Sequence, residues 1–253
     1  MNIAPFELTY TNDYAEFYFS FNGKKVDGAR CVISTKAAGD MGLDHPENRM
    51  ALYEKLGVDS GRVFSCKQTH SREVARVRCG ETELVRCADG LLGAPAAILA
   101  VTVSDCLPVY LCDTAHNVFA VCHSGWKGTG IAANALRLME ETYGTDAGDV
   151  SAILGPCIQG DVYQVERARA EEFHAHFGRG GAYPLGEAVR EAAAGGVKEY
   201  SIDMRAANAH ILIASGVKNI MYCTNCTFTD ERLGSFRREK EGFTKMLAMT
   251  GSF

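Results

Sequence analysis

Two short apolar runs separated by a polar turn constrain this 253-residue chain more than any other feature. Residues 108–112 (PVYLC) and 118–122 (VFAVC) flank the turn segment 113–117 (DTAHN), a pattern that reads as a β-hairpin. A hairpin centred near Ala115 places residue 107 opposite residue 123. Cys106 and His123 are then cross-strand or diagonal neighbours, with Cβ atoms about 4.5–8 Å apart. A thiol and an imidazole that close, beside the glycine-rich turn after Ser124, point to chemistry more than to packing. A third candidate, His70, closes the strand-like run 63–68.

The same punctuation organises the rest of the chain. Strands are expected at 17–21 and 29–34, around a turn with Asn-Gly and Asp-Gly steps, and at 63–68, 74–77 and 97–103. A helix is introduced at 45–49 with Pro46 in its first turn. Another is expected over 128–143, with Thr129 able to cap it and Gly144 to stop it. Residues 151–154 read as a strand, 166–177 and 203–214 as helices, the latter capped by Ser201 or Asp203, and 218–224 as a late strand. Glycine-rich 178–181 and 195–196 read as loop tips, and no stretch reads as a linker or repeat. The expectation is one α+β or mixed α/β domain over residues 1–253, without the regular alternation of a dinucleotide-binding fold.

Bulk properties exclude more than they assign. A net charge of −5 argues against sequence-independent nucleic-acid binding, which needs a basic face. The longest apolar run, 94–103, falls far short of the roughly 20 residues a membrane helix requires. The first residues lack the basic and apolar regions of a signal peptide, so the expected location is the cytoplasm. There the ten cysteines should be reduced thiols. Cys31, Cys112 and Cys122 sit inside apolar runs and read as small buried hydrophobes. Cys223 and Cys226 form one C-x-x-C with no second pair to complete a four-thiolate zinc site.

His70, Cys106 and His123 supply two imidazoles and one thiolate, the ligand set of a catalytic zinc with an open fourth position. Lying 36 and 17 positions apart, they must converge from separate elements. All three fall at strand ends beside turn residues, although a satisfied structural histidine is the plainer reading of either imidazole. After His123 comes Ser-Gly-Trp-Lys-Gly-Thr-Gly, a flexible backbone leading into a helix whose amide ends favour an anion. Lys127 adds charge there, and a tight strand-to-helix turn is the competing explanation. Arg237–Arg238 form a basic pair, and Lys36 and Arg49 lie around an early loop. Surface solvation is the default for such residues. His45, His116, His174, His176 and His210 read as surface or satisfied histidines.

These segments together resemble the laccase-domain family, labelled multi-copper polyphenol oxidoreductase, described also as purine nucleoside phosphorylase and as peptidoglycan editing factor. The resemblance runs through Gln68-Thr69-His70-Ser71, Asp89-Gly90-Leu91, Ser104-Asp105-Cys106-Leu107-Pro108-Val109, His123-Ser124-Gly125-Trp126-Lys127-Gly128 and Gly155-Pro156-Cys157-Ile158. Later matches are Cys223-Thr224 and Gly234-Ser235-Phe236-Arg237-Arg238. Departures are Gln159-Gly160-Asp161-Val162-Tyr163-Gln164-Val165, where the family usually has a further cysteine and C-Y-E-V, and Leu233-Gly234 in place of two aromatic residues. The resemblance implies a four-layer α/β/β/α sandwich, shared distantly with a toxin deamidase that uses a Cys-His pair. It implies one zinc held by His70, Cys106 and His123. It also implies phosphorolysis of adenosine, inosine, guanosine and methylthioadenosine, with deamination of adenosine.

The expected partners are thus a purine nucleoside and phosphate, with no nucleic acid and no membrane. Cys106, His123 and Asp105 are the candidate catalytic residues, with Asp105 or Asp89 to orient a histidine or shuttle a proton. Lys36, Arg49, Lys127 and Arg238 are the candidate anion holders. A multi-copper oxidase needs a blue copper site plus a three-copper cluster, more histidine ligands than seven His can supply, so copper is the weaker alternative. A metal-free Cys106–His123 amide hydrolase is a second reading, in which His70 has no essential part. A binding module with a structural metal is a third, and would recruit Cys157, Cys223 or Cys226 as fourth ligand.

Overall fold

The computed structural model describes residues 1–78, 80, 84–177, 186–191 and 200–253. The loop tips expected at 178–181 and 195–196, and Cys79, lie outside the described residues. The hairpin forms as strands Leu107–Asp113 and Val118–Ser124, buried at every position. Its register pairs Pro108 with His123 and Leu107 with Ser124, one residue away from the expected alignment. The difference arises at the turn, where Asp113 pairs with Val118 around a four-residue loop. The Asp113 carboxylate accepts the amides of Ala115 and His116, and Asn117 adopts a left-handed φ of 54°.

Two sheets dominate. The seven-stranded sheet runs in the order Asn2–Phe6, Asn219–Cys223, Val150–Leu154, Leu107–Asp113, Val118–Ser124, Gly90–Gly93, Val74–Val77. The six-stranded sheet runs Tyr14–Phe17, Arg30–Ser34, Met246–Gly251, Ile98–Val103, Val63–Lys67, Leu84–Arg86. Strand alternation then assigns each side chain to a layer. Tyr110, Phe119 and Val121 pack against Phe17, Ile33, Phe64, Leu99 and Ala248 between the sheets. On the other face of the larger sheet, Val109, Leu111 and Ala120 meet α2 (Ile131–Tyr143) and α4 (Met204–Ala214). The smaller sheet turns Val32, Ile98 and Met249 towards α1 (Pro46–Leu56). The result is the four-layer α/β/β/α arrangement of a mixed α/β fold. A fourth cluster packs α3 (Arg167–Phe177) on a small sheet of Gln164–Val165, Tyr200–Ile202 and Val189–Glu191. Among the described residues no helix is long and apolar enough to cross a membrane.

Helix ends refine the expectations. α2 begins at Ile131, and its N-cap is Gly130 at φ +100°, a backbone that favours glycine over Thr129. The Thr129 hydroxyl instead donates to the Gly125 carbonyl at 3.0 Å. Gly144 ends α2 as expected, and Asp203 caps α4 by accepting the Ala206 amide at 2.9 Å.

One topological regularity positions the functional side chains. The strands Val63–Lys67, Leu84–Arg86 and Ile98–Val103 are parallel in the smaller sheet, with Val63–Lys67 between the other two. From each, the chain crosses to the larger sheet, entering Val74–Val77, Gly90–Gly93 and Leu107–Asp113 respectively. Parallel strands leave a sheet at the same edge, so the three crossovers gather at one end of the sandwich. His70 lies on the first, Asp89 on the second and Cys106 on the third.

Candidate metal centre

His123 completes that end from the hairpin. It shares a strand face with Phe119 and Val121, so its ring points towards the layer between the sheets. Continuing the observed register past Leu107 sets Cys106 across from Gly125 and diagonal to His123. The ligand atoms of His70, Cys106 and His123 all lie within 4.8 Å of one another. The two imidazole rings meet edge-on, with centroids 4.9 Å apart.

Asp89 holds both histidines. Its buried carboxylate accepts the Nδ1 hydrogen of His123 at 2.9 Å, which leaves Nε2 as the free nitrogen of that ring. The same carboxylate accepts the backbone amides of Thr69 (3.0 Å), His70 (2.9 Å) and Ser71 (2.8 Å) and the Ser71 hydroxyl (2.7 Å). Those amides hold His70 at φ +59°, a left-handed conformation uncommon for a non-glycine residue. Preceding it, Gln68 donates to the Thr102 carbonyl and accepts its amide, tying the His70 crossover to strand Ile98–Val103.

The charges follow from this packing. Burial opposes ionisation of Cys106, yet the imidazoles of His123 and His70 outweigh it and bring the thiol pKa below its ordinary value. Burial disfavours imidazolium at His123, but Cys106 and Asp89 together raise its pKa. Burial likewise opposes the Asp89 carboxylate, and the hydrogen bonds from His123 and Ser71 and the neighbouring amides hold it well below the usual range.

Gly125 closes one side of the group. A Cβ there would stand 3.1 Å from Cys106 Sγ and 3.3 Å from His70 Cδ2, so the bare backbone is what leaves room for both ligands. Gly125→Ala is expected to weaken metal binding about 10–100-fold, the range typical of disturbed outer contacts. Competition against a chromogenic chelator measures this, and a circular dichroism spectrum like that of the parent protein would place the effect at the site.

The remaining expected site residues are distributed more widely. Asp105 reaches neither histidine among the described hydrogen bonds. Its carboxylate accepts Thr227 Oγ1 (2.7 Å), Ser235 Oγ (2.7 Å) and the Arg237 amide (2.6 Å), so it fixes the segment beside Cys106 while Asp89 orients the ring. Arg49 is buried and donates to the Met41 carbonyl and Ser65 Oγ, which engages it in the core. Lys36 pairs with Glu239 at 2.7 Å. Arg238 donates to the carbonyls of Thr227, Phe228, Asp230 and Leu233 and pairs with Glu239, so it secures a loop. Lys127 is exposed, with Nζ 5.3 Å from the centre of the Trp126 ring. Two residues absent from the sequence-based site lie beside Trp126, next to Gly125: Tyr163, packed against the same cluster, and Arg169, 5.0 Å from the centre of the Trp126 ring.

The donor set suits zinc: one thiolate and two imidazoles, one of them oriented by a carboxylate, with no fourth protein donor in the group among the described residues. Cys157 and Cys226 pair with each other across a strand-like bridge, and the Cys226 sulfur accepts the Gln159 amide. Neither they nor Cys223 joins His70, Cys106 and His123, so no closed four-ligand site forms among the described residues. The other described group with metal-ligating atoms, Asp40, Asp44 and His45, has only one imidazole, and Lys245 Nζ lies against the same Gly42 as its carboxylates.

Residues 34–251 match the family model for multi-copper polyphenol oxidoreductase laccase. A purine nucleoside phosphorylase of Mycobacterium bovis is 33% identical over 195 residues, 76% of this chain and 73% of that protein. Adenosine deaminase RL5, from an unknown prokaryotic organism, is 31% identical over 240 residues, covering 85% and 88% of the two chains. The crystal structure of YlmD from Geobacillus stearothermophilus superposes with a TM-score of 0.82 over 96% of this chain and 97% of its own, at 26% identity.

Proposed function

The chain belongs to the multi-copper polyphenol oxidoreductase laccase family, and on that premise we propose that it acts on purine nucleosides with a zinc ion held by His70, Cys106 and His123. The observation that carries the reading is the convergence of three ligand atoms within 4.8 Å, with the His123 ring fixed by Asp89. When bound, zinc supplies Lewis acidity and an acidified water. The protein's own groups do the rest. Asp89 keeps Nε2 of His123 directed at the centre, and Gly125, lacking a Cβ, leaves room for Cys106 and His70 beside it.

Two reactions fit relatives named for phosphorolysis and for deamination. In phosphorolysis a phosphate oxygen bonds to C1′ as the N9–C1′ bond breaks, and the purine leaves with the electron pair and takes up a proton. In deamination water adds at C6 and ammonia departs. Incubating the zinc-loaded protein with adenosine, with and without phosphate, separates them. We expect adenine and ribose-1-phosphate only when phosphate is present, and inosine in either case. Failure to convert adenosine, inosine, guanosine or methylthioadenosine would refute the reading.

A second reading rests on Cys106, His123 and Asp89, which also stand in the order of a nucleophile, base and orienting group. It predicts activity towards an amide that survives chelation and is lost on alkylation of Cys106. Inhibition by chelator, reversed by zinc, excludes it.

A further inference from the structure

We propose that Arg169 and Arg237, with Lys127 at the outer end, form an oxyanion-binding wall beside the His70–Cys106–His123 group that takes a phosphate group. This rests on the proposed action on purine nucleosides and names how a second part of the reaction is held. The wall is built from two arms. The first leaves the centre at Gly125, whose neighbour Trp126 packs among the residues of α3. The Arg169 guanidinium, on the first turn of α3, stands 5.0 Å from the centre of the Trp126 ring. The second arm leaves Cys106 through Asp105, whose carboxylate accepts the Arg237 amide at 2.6 Å. The Arg237 guanidinium stands 5.1 Å from the centre of the Tyr163 ring.

Tyr163 joins the arms. It packs against the same apolar cluster as Trp126, and Arg237 lies over its ring. The two arginines are half-buried, and neither they nor Lys127 makes an ion pair among the described residues. That sets them apart from Lys36 and Arg238, which share Glu239. Arg237 gives Nη1 to the Gln164 carbonyl at 2.8 Å, which fixes its plane and leaves its other N–H groups uncommitted there. Half-buried guanidinium groups without an ion pair remain available to an anion, and their planar N–H edges match phosphate oxygens two at a time. The phosphate has two sources, free orthophosphate as co-substrate or a phosphate carried on the nucleoside.

Trp126 is the only tryptophan of the chain, so its fluorescence reports on this wall without a label. Inorganic phosphate titrated into the full-length protein should give a saturable change, and calorimetry should give the same midpoint. In R169Q and in R237Q the calorimetric midpoint should rise at least tenfold, with R237K recovering part of the loss. Glu172→Gln, an exposed change on α3, should leave the midpoint where it was. Adenosine 5′-monophosphate distinguishes the sources. If it binds at least tenfold tighter than adenosine and phosphate displaces it, the wall reads a substrate-borne phosphate. If adenosine and phosphate bind together and the monophosphate gains nothing, the wall holds the co-substrate. No saturable response to phosphate or monophosphate, or unchanged midpoints in both glutamine variants, overturns the proposal. Adenosine turnover measured alongside keeps the two readings separate. Turnover without phosphate binding defeats the wall alone, whereas phosphate binding without turnover of any purine nucleoside defeats the proposed function.

Discussion

Cys106→Ser is expected to strip the purified protein of its metal and to abolish nucleoside turnover while leaving the fold in place. Serine removes the one soft, anionic donor of the group and substitutes a hydroxyl that stays protonated near neutral pH. Disturbing an outer contact of a metal ligand costs about 10–100-fold in affinity. Losing a direct thiolate ligand should cost more than ~100-fold on the same scale. Metal content by mass spectrometry after dialysis, read against turnover of adenosine, measures both effects. The side chain lies at the end of the sandwich and outside the clusters that fill its layers, so the melting temperature of the metal-free variant should match that of metal-free parent protein. Full metal content with full activity would remove Cys106 from the centre.

Asp89→Asn should have the second largest effect, and on two readouts at once. The carboxylate accepts hydrogen bonds from His123, from three consecutive amides and from Ser71, all of them donors. An amide side chain offers one acceptor oxygen, and its NH2 must then face a donor. The expected cost in stability is about 3–5 kcal/mol, as for other broken buried charge networks. For a chain of this size that lowers the melting temperature on the order of 10 °C. Metal affinity should fall about 10–100-fold because the His123 tautomer and the His70 backbone both lose their anchor. Asp105→Asn should spare His123 and act through the Thr227, Ser235 and Arg237 contacts instead.

The contrast between the two aspartates shows what the sequence could carry. Local patterns were legible: the hairpin, the cap at Asp203, the stop at Gly144, and His70, Cys106 and His123 at strand ends. The hairpin register slipped by one residue because turn geometry at Asp113 and Asn117 sets it, and apolar spacing alone does not. Pairings between distant strands, such as Asn2–Phe6 with Asn219–Cys223, leave no periodic trace. Charged side chains were the least legible. Lys36, Arg49 and Arg238 stood out as cations near loops, but their partners lie far along the chain or on main-chain carbonyls. Arg169 carries no local mark of a site. Its place beside Trp126 depends on how α3 docks, which no local pattern encodes. The repeated crossing between sheets is the exception that could have been read. Three strand-like segments each precede one of His70, Asp89 and Cys106, and parallel order brings such positions together.

X-ray absorption at the zinc edge of the purified protein addresses the centre itself. The expected spectrum is that of one zinc per chain bound by one sulfur at about 2.3 Å and two imidazole nitrogens at about 2.0–2.1 Å, with a light exchangeable oxygen as fourth neighbour. Adding adenosine should perturb that oxygen and leave the sulfur and nitrogens in place. Two or more sulfur neighbours, or a shell of four protein ligands that adenosine does not change, would contradict it.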